Sequence, residues 1–150
     1  MEDRRNAREQ LLEAWMAMEV CIRGNRLLSE FSMNEMLVCN TLYHRMQTGG
    51  DPVTATELCR KLQLLKSQMN RLLAGMEFDG LIRRERNPAD KRESYVYLRE
   101  EALPRYLKEH DHVLNIVGAV CSALGETDTA SLTALMLKAA ATVTQMKEEP

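Results

Sequence analysis

Apolar positions recur with the helical period over most of this chain. Leu11, Trp15, Met18 and Ile22 stand at i, i+4, i+7 and i+11, which predicts a helix over about residues 6–29. Leu12, Met16, Cys21 and Leu28 widen the stripe. So broad an apolar face on one long helix needs more than one neighbour, a second chain among them. In "FSMNEMLVCNTLYHRM" the inward positions are Val38, Cys39 and Leu42. Ser32 with Glu35 three residues on is a capping box, in which each side chain satisfies the other's backbone N–H. Gly49, Gly50 and Pro52 then stop the helix.

"TATELCRKL" repeats the device with Thr54 and Glu57, on a short helix with Leu58, Cys59 and Leu62 inward. After a tight "QLL" comes a further helix, with Met69, Leu72, Leu73 and Met76 on its inner face and Gly80 as its stop. A short helix, a tight turn and a second helix with polar side chains at its start form a helix-turn-helix pattern. The period then changes to two. "LIRRER" and "ESYVYLR" alternate around Asn87-Pro88-Ala89-Asp90-Lys91, a β-hairpin with Val96 and Leu98 on one face and Tyr95 and Tyr97 on the other. Helical period resumes in the stripe Leu103, Leu107, His110, Leu114, Val117, Cys121 and Leu124. "GETD" interrupts it, and a last helix carries Leu132, Leu135, Met136, Ala139, Val143 and Met146.

The fold class is therefore mainly α with a small β-hairpin wing. A winged helix-turn-helix domain over residues 31–100 is flanked by helical regions, 1–30 and 101–150, whose apolar surface exceeds what one small domain covers.

Charge sharpens this picture. The chain as a whole carries −2. Between Arg60 and Arg92, however, nine basic residues face four acidic ones. The segment is +5 and the remainder −7, a local footprint for a polyanion rather than bulk attraction. An α-helix fits the major groove of B-DNA and reads base edges from its N-terminal side chains. Lys66, Ser67, Gln68, Asn70 and Arg71 are the candidates there. Arg71 suits guanine, Gln68 or Asn70 suits adenine, and Lys66 suits phosphate.

The same segment resembles the MarR family, the multiple-antibiotic-resistance type of bacterial regulator. The family pattern [ST]-x-x-[EQ]-x-x-[VI]-L matches "SMNEMLVC", with Cys39 for the usual Leu. T-x-x-E-L-A-x-x-L matches "TATELCRKL". L-E-x-x-G-L-[IV]-x-R matches "MEFDGLIRR". The wing pattern D-x-R before a strand matches "DKRESYVYL". Two departures stand out. "LREEA" replaces the family's L-T-x-x-G after the wing, and Gln63 stands where the turn before the recognition helix often has Gly. Gln63 must adopt an unusual backbone, or the turn differs.

The resemblance implies a cytoplasmic homodimer joined through its terminal helices. It implies a regulator of transcription, usually a repressor, that binds a pseudopalindromic operator in double-stranded DNA and is released by a small-molecule effector. It makes Arg92 the side chain inserted in the minor groove, with Asp90 bracing the wing through an ion pair and Arg86 and Lys91 on phosphates. It also implies an effector crevice, for which Trp15, Met18, Met36 and Tyr43 are candidates, with Tyr43 or His44 as the polar group. The other reading of that methionine-rich set is ordinary core.

Several other classes lack support. There is no Gly-rich phosphate loop, nucleophile elbow or zinc-ligand spacing, so no enzyme, metal or cofactor is expected. No apolar run approaches the ~18 residues of a membrane span. Cys21, Cys39, Cys59 and Cys121 form no C-x-x-C pair and read as small buried hydrophobes. His110 and His112 point about 200° apart on a helix, a poor arrangement for one ion. The alternatives to the regulator reading are a winged-helix protein-interaction module without specific DNA binding, and a thiol- or metal-responsive regulator of the same fold.

Overall fold

The computed structural model describes residues 2–24 and 27–148. It contains six α-helices and three short strands among them. In chain order these are α1 (Glu2–Gly24), α2 (Met33–Thr48), β1 (Val53–Thr54), α3 (Ala55–Leu62), α4 (Lys66–Phe78), β2 (Ile82–Arg86), β3 (Ser94–Leu98), α5 (Leu103–Leu124) and α6 (Glu126–Glu148). The chain divides into two compact units, residues 1–111 and 112–150.

In the first unit the capping chemistry read from sequence is largely present. Ser32 Oγ accepts the N–H of Glu35, and the Glu35 carboxylate accepts the N–H of Ser32 at 2.8 Å. Thr54 caps α3 by accepting the N–H of Glu57 at 3.1 Å. The second half of that box is missing, because the Glu57 carboxylate pairs instead with Arg45 at 2.5 Å. Arg45 thereby ties the end of α2 to the start of α3. It also donates to the carbonyl of Asp51 at 2.6 Å.

The turn between α3 and α4 resolves the question of Gln63. Its φ is +55°, the one positive value outside glycine among the described residues. A left-handed backbone costs a side-chain-bearing residue about 1–2 kcal/mol, and glycine adopts it freely at the expense of chain entropy. Gln63→Gly is therefore expected to stabilise the unit by about 0.5–1 kcal/mol, read as a rise in the urea midpoint.

The two long strands pair antiparallel from Ile82↔Leu98 to Arg86↔Ser94. β1, which sequence did not reveal, adds to the other edge of β3 through Val53↔Val96 and Thr54↔Tyr95. The sheet order is β1-β3-β2. Val96 and Leu98 face the core, and Tyr95 and Tyr97 are half-buried on the opposite face. Core residues come from every element between Phe31 and Tyr106, including Leu58, Met69, Leu73 and Met76, none of which is accessible to solvent. After β3, "LREEA" forms a single 3-10 turn, Glu100–Ala102, in place of the family's usual junction. Ala102 closes against the core.

α1 begins earlier than expected, at Glu2, and ends at Gly24 rather than near residue 29. Glu2 and Asp3 in its first turn complement the helix dipole. No residue of α1 is buried, and Cys21, expected inside, is exposed. The face of α5 that enters the first core is also offset from the expected stripe. It carries Ala102, just before the helix, then Tyr106 and Glu109, with Leu103 and Leu107 partly buried beside them.

The second unit is described by the end of α5, a turn at Gly125 with φ +82°, and α6. Its apolar stripe is on view: Leu135 is 63% and Met136 56% exposed.

Cys39 and Tyr106 are buried in the first unit. Burial pushes the Cys39 thiol up to about 12, with Glu35 adding to the effect. Burial also pushes the Tyr106 hydroxyl up to about 12, while that hydroxyl donates to Asn40 Oδ1 at 2.7 Å. A thiol held so firmly in its neutral form is not a nucleophile. Unfolding exposes the Cys39 thiol to water, where it ionises near 9.0. Above that pH the unfolded chain gives up a proton that the folded chain keeps, so stability declines as pH rises. The expected loss between pH 8 and 10 is about 1.4 kcal/mol. Urea titrations across that range should show this fall, and Cys39→Ala should lose most of it.

Candidate nucleic-acid interface

α4 sorts its side chains by face. Met69, Leu73 and Met76 follow i, i+4 and i+7 into the core, which turns Lys66, Ser67, Gln68, Asn70 and Arg71 to solvent. The residue before the helix is Leu65, which has no oxygen with which to cap it. Gln68 compensates in part: its Oε1 accepts the N–H of Leu65 at 2.9 Å. This alters the expectation for Gln68. Pairing with adenine uses both the amide oxygen and the amide nitrogen, and that oxygen, which has two lone pairs, would be shared with the Leu65 backbone.

The wing tip is wired by its own backbone. Asn87 donates its N–H to the carbonyl of Glu93 at 3.0 Å, and Glu93 returns a bond to the carbonyl of Asp90. Asn87 Oδ1 accepts from Ala89 at 2.9 Å. Asp90 Oδ1 accepts the N–H of Arg92 at 3.0 Å. Asp90 thus braces the wing, but through a hydrogen bond to the main chain of Arg92 rather than the expected ion pair. The reason is local: an Asp side chain reaches the N–H two residues on more readily than a long guanidinium folds back. The Arg92 side chain is exposed.

The basic residues divide into two groups. Arg84 is tied to Glu77 at the end of α4, with Nε at 2.6 Å from Oε1. Arg83 pairs with Glu85 and lies over the ring of Tyr97, 4.1 Å from its centroid. By contrast, no ion pair among the described residues engages Lys66, Arg71, Arg86, Lys91 or Arg92. All five are exposed.

Helix and wing meet at one place. Lys66 and Asn70 from α4 and Arg92 from the wing line a shallow cavity of ≈ 200 Å³, together with Thr56, Cys59, Glu93 and Ser94. Glu93 Oε1 is buried there without a hydrogen-bond partner. Two elements that sequence could only assign separately therefore share one basic surface.

Residues 37–93 match the family model described as "MarR family". Over most of its length the chain also has the fold of the PcaV transcriptional regulator from Streptomyces coelicolor, solved with its natural ligand. The TM-score is 0.69 at 18% identity, over 86% of this chain and 89% of that one. The chain therefore has a winged-helix fold, similar over residues 37–93 to the MarR family. It is similar as well to a MarR family protein from Bacillus stearothermophilus, with a TM-score of 0.68 at 18% identity over 96% of this chain and 99% of that one. The structure of S. aureus MepR in complex with DNA gives a TM-score of 0.66 at 16% identity, over 89% and 93% of the two chains. No curated protein matches the sequence.

The effector residues expected from the MarR resemblance do not gather around one cavity. Met36 is in the core, and Tyr43 is half-buried with its ring 5.2 Å from that of Tyr106. Trp15 and Met18 are 55% and 44% exposed on α1, and His44 is exposed. A cavity of ≈ 640 Å³ lies elsewhere. Leu42, Arg45 and Met46 of α2 line it with Pro52, Val53, Arg83, Tyr97 and Arg99. Sequence reasoning passed over these residues, whose long-range convergence leaves no local periodicity. It also passed over Leu65, which carried a signal: an apolar residue where a helix wants a cap.

Proposed function

We propose that this protein is a DNA-binding transcriptional regulator of the MarR family, acting as a homodimeric repressor of a pseudopalindromic operator. The observation that carries the proposal is the division of the basic residues. On α4 and the wing, the exposed cations Lys66, Arg71, Arg86, Lys91 and Arg92 have no ion pair among the described residues, and neither have Arg60 and Lys61 on α3. Arg83 and Arg84, nearer the base of the wing, are neutralised within the chain. Phosphates supply the missing partners, and α4 supplies the base-reading edge.

Dimerisation accounts for the apolar surface. Leu11, Trp15 and Met16 on α1 and Leu135, Met136 and Leu137 on α6 are each more than half exposed, a cost in water that a second copy removes. A two-fold protein sets its two reading helices about 34 Å apart, and a palindromic site follows from that symmetry. None of the described helices is long and apolar enough to cross a membrane, and a chromosomal target puts the protein in the cytoplasm. Release by a small molecule belongs to the same proposal. The ≈ 640 Å³ cleft, lined by apolar residues together with Arg45, Arg83, Arg99, Glu100 and Glu101, has the volume for one.

Fluorescence-anisotropy titrations of the purified dimer, with DNA from upstream of its own gene, test the reading. Log affinity should fall with log salt at a slope of about −0.9 per phosphate contacted, giving a slope of several units. A slope near zero, or affinity no greater than for a random duplex, contradicts it.

A further inference from the structure

Leu65 is 70% exposed at the mouth of α4. That position favours an oxygen-bearing side chain, and an apolar residue there forgoes about 1 kcal/mol of capping. It gains no burial in return, so folding offers no reason for leucine. Beside it, Gln68 is held by its own oxygen: Oε1 accepts the Leu65 N–H at 2.9 Å. On this exposed side chain Nε2 is a donor only. An apolar group and a hydrogen-bond donor stand together at the end of the helix that meets bases.

We propose that Leu65 and Gln68 together read one thymine in each half-site, Leu65 against the C5-methyl group and Gln68 Nε2 to O4. The inference rests on the DNA-binding reading above. Thymine is the base whose major-groove edge sets an acceptor beside a methyl group. Cytosine presents its N4 amino group, a donor facing the donor of Gln68. Adenine has no methyl group for Leu65 to meet in the major groove. Guanine accepts from Gln68 but offers Leu65 nothing apolar.

The test uses a duplex that the full-length protein binds, obtained by selection from genomic fragments. Its thymines are replaced one at a time by deoxyuridine, which removes the methyl group alone. At one position per half-site the wild type should lose affinity about fourfold, as one methyl's burial implies, and about 15-fold when both half-sites carry the change. Leu65→Ala should bind the two duplexes alike. Leu65→Ser restores a capping oxygen, so it should melt higher than wild type and yet be equally blind to the methyl group. That separates reading from folding. Wild-type affinity unaffected by deoxyuridine at every position overturns the inference, as does methyl sensitivity that survives in both variants. Failure to select any duplex overturns the regulator reading and this inference with it, an outcome distinct from loss of methyl sensitivity alone.

Discussion

Arg92→Ala should weaken operator binding by roughly 30-fold or more. The side chain has no ion pair among the described residues to give up, and the hydrogen bond to Asp90 already orders its backbone in the free protein. One arginine contact to DNA contributes about 1–3 kcal/mol, and a two-fold dimer makes each contact twice. The loss should include a smaller salt slope, by about one unit per protomer. Arg83→Ala is the internal comparison. Arg83 carries the same charge, but its guanidinium is paired with Glu85 and stacked on Tyr97. Its removal should change affinity several-fold less. Anisotropy titrations of the two variants at two salt concentrations check both outcomes. Equal losses would mean that charge alone, not the division of paired and unpaired residues, governs binding.

Glu109→Ala should destabilise the first unit by about 2–4 kcal/mol. Glu109 is 2% exposed, and its carboxylate lies against the segment between α1 and α2. Oε1 accepts the N–H of Ser29 at 2.5 Å, and Oε2 accepts from the Ser29 hydroxyl at 2.7 Å and the Glu30 N–H at 3.2 Å. Hydrogen bonds to a charged acceptor contribute about 1.5–3 kcal/mol, and donors stranded without one cost more than the bond gained. Ser29 and Glu30 are exposed to water, which offsets part of the loss. Glu109→Gln keeps one acceptor and should fall between wild type and alanine. Urea unfolding followed by far-UV circular dichroism gives the values. A loss below about 0.5 kcal/mol, the size of an ordinary surface change, would show that the segment holds without its carboxylate.

These two residues also mark what sequence could and could not disclose. The Ser32–Glu35 box, the amphipathic α4 and the hairpin each rest on neighbours within four positions or on strict alternation. Local chemistry settles such features before any tertiary contact forms. Glu109 bonds to residues some 80 positions away, and nothing near it in sequence announces burial. The expected stripe on α5 followed leucines. The face that enters the first core is set by Tyr106 and Glu109, because Asn40 and the Ser29 region supply polar partners that periodicity does not weigh. β1 is two residues long and exists through its pairing with β3. At the candidate interface, residue type and order were enough to nominate Lys66, Asn70 and Arg92, but not to place them around one cavity. Gln68 was legible as polar and exposed. Its commitment to the Leu65 backbone depends on a three-residue geometry that a motif does not encode.

The most direct test of the account is selection of DNA by the protein itself. Full-length protein would be incubated with pooled genomic fragments at about physiological salt, and the bound fraction sequenced. A regulator that reads with two copies of α4 and two wings should enrich fragments sharing an inverted repeat, its half-sites about one helical turn apart. Enrichment no greater than that of a basic protein without sequence preference, with no shared repeat, would contradict it.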